Sequence, residues 1–179
     1  MYIGIGAAVV AVIIIGWVIS TSNRFKILQV KIKEADSGID VALTKRYDTL
    51  TKLMDVVKAY AKHETEVFEN IVKLRSGMSM AERAEAHQVM KETTDKLNIV
   101  AENYPELRSA ENFKQLQAAI VDAEDHLQAA RRVYNMNVSS FNQSIVIFPN
   151  SIIANAGKHT PRDFFEAEET KRVDVKMEF

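Results

Sequence analysis

Cysteine is absent from the 179 residues. That absence removes disulfides, thiolate zinc sites, cysteine nucleophiles and a lipidated-cysteine anchor, and it fits a reducing compartment. Proline and glycine are scarce, at three and six residues, and sheet-like alternation is missing until the last few positions. Helix therefore dominates. The sequence holds no H-E-x-x-H, no Gly-rich phosphate loop and no G-x-S-x-G. The histidines, His63, His87, His126 and His159, include no i, i+4 pair, so no metal-ligating pattern stands out. Arg131 and Arg132 follow Asp122, Glu124 and Asp125 at a spacing that makes solvated ion pairs of little worth. The expectation is a chain that is not an enzyme and holds no cofactor or metal. The net charge of −1 implies no nucleic-acid partner.

Charge is also missing from Ile3 to Ile19, an unbroken apolar run carried by Ile3, Val9, Val10, Ile13, Ile14, Ile15, Trp17 and Ile19. As a helix it is roughly 26 Å long, and Ser20 to Ser22 extend it to about 30 Å, the thickness of a hydrocarbon core. A signal peptide would place positive charge before a core of about 7 to 15 residues and small residues at a cleavage site. Here only Met1 and Tyr2 precede the run, the run is longer, and Ile19 to Ser22 match the cleavage pattern poorly. A retained transmembrane helix is the expectation, with the lipid bilayer as first partner. Arg24, Lys26, Lys31 and Lys33 all precede the first carboxylate, Glu34. The positive-inside rule then puts the body in the cytoplasm and the N-terminus outside. The same cations can lie against anionic headgroups. Gly4 with Ala8 and Ala7 with Ala11 have the small-xxx-small spacing of close helix pairs, a spacing that chance also produces in a Gly- and Ala-rich run.

Beyond the run the apolar residues step by three and four. One seam reads Ile39, Leu43, Tyr47, Leu50, Met54, Val57, Ala61, Phe68, Ile71 and Leu74, continuing from the apolar run through Ile27, Leu28 and Ile32 and ending near Ser76 and Gly77. Gly38 within it marks a kink or a close helix contact. A second helix opens at Ser79 with Glu82 at the capping-box spacing and carries Ala84, His87, Met90, Thr94, Leu97, Ala101 and Tyr104. The third is capped by Ser109 and reads Phe113, Leu116, Ile120, Ala123, Leu127, Ala130, Tyr134, Asn137, Phe141, Ile145 and Phe148 over five heptads, stopping at Pro149. Short loops at 76–79 and 104–109 make neighbours antiparallel. Ile152 to Ala154 add one more turn, and Phe164 with Phe165 fold back as an anchor. The chain is thus expected to be all-α: an N-terminal transmembrane helix, an antiparallel up-and-down bundle of three long helices with a short fourth segment, and an extended C-terminal tail. The boundaries read as anchor 1–23, basic juxtamembrane helix 24–38, bundle 39–157 and tail 158–179.

Two features bear on association. Asn137 lies in the seam, where an unpartnered buried amide costs about 1 to 3 kcal/mol. It either fixes register or oligomer state, or is satisfied within the monomer. Val173, Val175, Met177 and Phe179 alternate with Asp174, Lys176 and Glu178, an extended segment with one apolar face that lies along its own bundle or pairs with a second protomer.

Tyr134, Asn135, Val138, Phe141, Asn142, Ile145, Phe148, Pro149 and Ala154, preceded by Ala130, Arg131 and Arg132, resemble the signature of LemA family proteins. Gly38 to Val41, Lys45 to Asp48, Tyr60 to Glu64, Glu102 to Pro105, Asn112, Phe113, Leu116, Gln117 and Phe164 to Ala167 resemble the family as well, so the likeness spans nearly the whole chain. Phe141 departs from it, standing where family members commonly have Tyr, and Gly157 to Pro161 is an individual linker. The resemblance implies a bacterial inner-membrane protein, or one of a derived internal membrane, with a single N-terminal span, a helical bundle and no established catalytic residues. Some relatives resemble components of membrane-remodelling systems, magnetosome-forming ones among them. The resulting expectation is a membrane-anchored scaffold or assembly factor that forms homo-oligomers. The alternative is a tethered adaptor or sensor that binds a protein or small ligand through the bundle.

Overall fold

The computed structural model describes residues 2–61 and 77–165. Those residues form five helices: α1 Tyr2–Tyr60, α2 Met80–Asn103, α3 Pro105–Ser109, α4 Glu111–Val146 and α5 Asn150–Ala156, with no strand among them. The all-α fold expected from the heptads is the one observed. The continuation of the apolar run into the first seam is observed too, since α1 is unbroken over 59 residues. Phe68, Ile71, Leu74 and the alternating end from Val173 to Phe179 lie outside the described residues.

The described residues pack as two compact units, one of residues 2–37 and 132–164, the other of 38–61, 77–131 and 165. In the first, the buried apolar residues are Phe25, Ile32 and Ala35 of α1, Tyr134, Val138, Phe141 and Ile145 of α4, and Ala154 of α5. Each fully buried Phe contributes roughly 1.5–3 kcal/mol. Asn137 Nδ2 donates to the Lys31 carbonyl, 3.2 Å, while Phe25 and Phe141 both meet the ring of His159. Residue numbers fall along α4 as they rise along α1, so the two helices are antiparallel here. The apolar stripe on this part of α1 is Thr21, Phe25, Ile32, Ala35 and not Ile27, which is 56% exposed. A seven-residue repeat through Phe25, Ile32 and Ile39 aims Ile27 away from the contact.

In the second unit, α1 contributes Ile39, Leu43, Leu50, Leu53 and Val57, α2 Ala86, Met90 and Leu97, and α4 Phe113, Ile120, Ala123 and Leu127. His87 pairs with Glu124 and Asn98 with Gln117, so α2 and α4 are antiparallel. Arg83, one turn into α2, pairs with Asp40 at 3.1 Å, at the start of this stretch of α1. The expected capping box is present: Ser79 accepts from the Glu82 N–H and Glu82 accepts from the Ser79 N–H. The buried face of α2 runs through Arg83, Ala86 and Thr93, beside the positions Ala84, His87 and Thr94 expected for it.

The segment 104–109, read as a loop, is instead the short helix α3. Pro105 opens it, where a missing N–H costs nothing, and Leu107 is fully buried. Ser109 therefore does not cap α4. Its hydroxyl donates to the Glu106 carbonyl at 2.9 Å and closes α3. Gly38 makes no close helix contact either, because a Cβ there would meet nothing within 4 Å.

Candidate functional site

In α1, every residue from Tyr2 to Ser20 is exposed except the partly covered Trp17. Burial starts at Thr21, 6% exposed, and Phe25, 0%. One stretch of α1 is long and apolar enough to cross a membrane, and none of that window is buried. A core helix of a soluble fold would be covered, and this one is bare. Arg24, Lys26, Lys31 and Lys33 are exposed where the packed region begins. The remaining cations of this unit are Arg132, Lys158 and Arg162, and its only carboxylates are Glu34, Asp36 and Asp163. No carboxylate occurs between Asp125 and Asp163, nor before Glu34.

The family-like positions of α4 turn out to hold one segment of chain. α5 ends in a Schellman arrangement: the His159 N–H donates to Ala154 O, 2.9 Å, and Lys158 N–H to Asn155 O, 3.1 Å. Lys158 takes the left-handed conformation at φ 53°. This swings the His159 ring between Phe25 and Phe141, edge-on to both at centroid distances of 5.1 and 6.1 Å. Gln29 Nε2 lies 3.3 Å from His159 Nδ1. Asn142 then holds both backbone groups of Arg162, donating to its carbonyl (2.9 Å) and accepting from its N–H (2.8 Å). Tyr134 Oη donates to the Asp163 carbonyl at 3.1 Å.

Tyr134, Phe141 and Asn142 are thus brought together as a cradle for residues 157–164, while Asn137 bonds to α1 instead. Asn135 is half-buried on the same helix. Asn137 finds its partner within the chain. Phe148 and Pro149 stand apart, in the turn that joins α4 to α5 across a cis peptide bond, with Phe148 76% exposed. Phe165 is buried with the Arg131 guanidinium 4.5 Å above its ring, whereas Phe164 is 43% exposed. Burial pushes Arg131 below its usual pKa. Phe25, Gln29, His159 and Arg162 were not singled out by sequence. The contacts of Phe25 and Gln29 with His159 join residues 130 or more apart and that of Arg162 with Asn142 joins residues 20 apart, and no periodicity signals either.

The second unit holds a polar cluster. Arg46, with its side chain 4% exposed, is ion-paired with Glu124, which also pairs with His87 Nε2 at 3.1 Å. Burial lowers the Arg46 pKa, and nearby Asp95 opposes the shift. Lys45 Nζ donates to Asp122 at 2.6 Å, and this bond is the main cause holding that carboxyl below its usual range. Among the described residues no group of three or more His, Asp or Glu is placed to hold a metal ion.

The LemA family profile matches residues 35–179. A curated relative, Protein LemA of Metamycoplasma hominis, is 32% identical over 152 residues, covering 82% of this chain and 69% of the relative. The chain belongs to the LemA family. A second likeness, to the magnetosome protein MamQ of Magnetospirillum gryphiswaldense, is 29% identity over 59 residues, 33% of this chain and 22% of that one. Neither LemA nor MamQ carries the name of an enzyme. The LemA match begins at residue 35, so it takes in the cradle of α4 and leaves out the bare apolar run.

Proposed function

We propose that this LemA family chain is a single-span membrane protein whose bundle stands at the cytoplasmic face as a non-enzymatic scaffold, associating with itself or holding partner proteins. The observation that carries the reading is the bare run of α1: about 26 Å of apolar helix cannot rest in water, and it continues without a break into packed structure. The exposed cations next to it support the cytoplasmic orientation. The likeness to a magnetosome protein supports a role in building a cellular structure.

The cysteine-free sequence makes topology directly testable. Ser109→Cys, at an exposed position of the second unit, is expected to react with a membrane-impermeant maleimide in inverted vesicles and to be protected in sealed right-side-out vesicles. The opposite pattern would overturn the orientation. For the scaffold role, crosslinking in intact membranes is expected to give homo-oligomers or defined protein neighbours. A strictly monomeric detergent-solubilised protein with no copurifying partner would count against it.

A further inference from the structure

We infer that the α4–α5 turn is a second membrane contact, an apolar wedge that enters the headgroup region of the bilayer beside the span. The inference rests on the anchor reading above and lies wholly within the first unit. Asn137 meets Lys31, and α4 runs antiparallel to α1. Ten residues on from Asn137, about 15 Å, the chain reaches Ile147. Ten residues back from Lys31 along α1, the same distance, lies Thr21, the last buried residue before the bare run. The turn is therefore level with the edge of the span.

At that level the chain turns its apolar residues outward. Val146 is 65% exposed, Ile147 56%, Phe148 76% and Ile152 58%, although the same helix buries Phe141 and Ile145 completely or nearly so. A cluster of large exposed apolar side chains marks an interaction surface. Its position, continuous with an apolar span, identifies the occupant as lipid. The charge agrees. Between Asp125 and Asp163 no carboxylate interrupts the sequence, and Lys158 and Arg162 follow the turn, both exposed. Apolar residues flanked by cations and free of carboxylates are the composition of an interfacial segment on anionic lipid. A partner protein would be equally served by an apolar patch, but it would not require the patch to lie at the depth where the span emerges.

The single tryptophan, Trp17, makes the test clean. The full chain is reconstituted into vesicles of equal parts phosphatidylcholine and phosphatidylglycerol, and its emission is read with and without lipids brominated at shallow or deep acyl positions. Trp17 of the unsubstituted protein reports the span. Trp17→Phe with Phe148→Trp reports the turn, and Trp17→Phe with Ser109→Trp is the exposed control. Phe148→Trp is expected to emit to the blue of the control and to be quenched more by shallow than by deep bromine, while the control is quenched by neither. Ile147→Trp in the same background should repeat the result, which guards against disturbance at one position. Emission like that of the control at both turn positions, with Trp17 quenched, would overturn the wedge and leave the anchor standing. Blue emission without quenching would mean that protein covers the turn, which also overturns it. Loss of quenching at Trp17 itself would remove the anchor reading and the wedge together.

Discussion

A Cβ added to Gly157 would stand 3.0 Å from two atoms of the His159 ring and 3.3 Å from the Ile153 carbonyl. The backbone φ of −83° is open to any residue, so the demand for glycine is steric. The ring cannot retreat freely, because Phe25 and Phe141 both meet it edge-on. Gly157→Ala is therefore expected to cost about 1–3 kcal/mol, as overpacking does, and to be seen as a lower Tm and faster amide exchange over 158–164. A second residue-scale prediction concerns Arg46. Glu124→Gln strands a guanidinium that is 4% exposed, and breaking a buried pair from one side costs about 3–5 kcal/mol. Arg46→Met with Glu124→Met should recover part of that loss in thermal melts, since the stranded guanidinium is removed together with the carboxylate while the His87 contact is lost in both variants. A double variant no more stable than Glu124→Gln would show that the pair is not what Glu124 supplies. Arg46 was visible in the sequence as part of a family-like motif, and its burial was not: an arginine one turn from apolar neighbours reads as solvated until a facing carboxylate is located.

At the scale of the elements, heptad spacing was a good guide wherever helices are long. The stripes of α1 from Ile39 to Val57 and of α4 as far as Ile145 were read almost position for position, because a 3.6-residue period leaves few choices once two or three buried residues are known. Short elements escaped. α3 depends on Pro105 at a helix start and on the burial of Leu107, and five residues carry no period. Phe148 shows the opposite failure: it keeps the spacing of the seam yet lies beyond the last residue of α4, so its side chain no longer follows the helical rotation. Gly38 is helical with open space around it. Gly38→Ala should therefore stabilise α1 by up to about 1 kcal/mol through lower unfolded-state entropy and better helix propensity. Chemical denaturation would measure it, and destabilisation would mean that a glycine-specific contact forms at that position.

At the scale of the whole molecule, charge is distributed unevenly. The unit that contains the apolar run carries seven cations, Arg24, Lys26, Lys31, Lys33, Arg132, Lys158 and Arg162, against Glu34, Asp36 and Asp163, within a chain whose net charge is −1. Its basic character accompanies the segment proposed to touch lipid, as the positive-inside rule requires. The maleimide and bromine experiments address this scale separately, the first asking which side the bundle occupies and the second how deep the turn lies.

The apolar run long enough to span a bilayer, the helical class and the family likeness were all present in the linear chain, because uninterrupted apolarity, a helical period and a motif are properties of neighbouring residues. Only the tertiary structure decided what the motif does. Tyr134 and Asn142 grip a segment about twenty to thirty residues further on, and His159 lies between aromatic rings from α1 and α4. Only the fold, too, set the exposed turn at Ile147 and Phe148 level with the place where α1 becomes bare. These are contacts between residues far apart in sequence, and one-dimensional spacing carries no record of them.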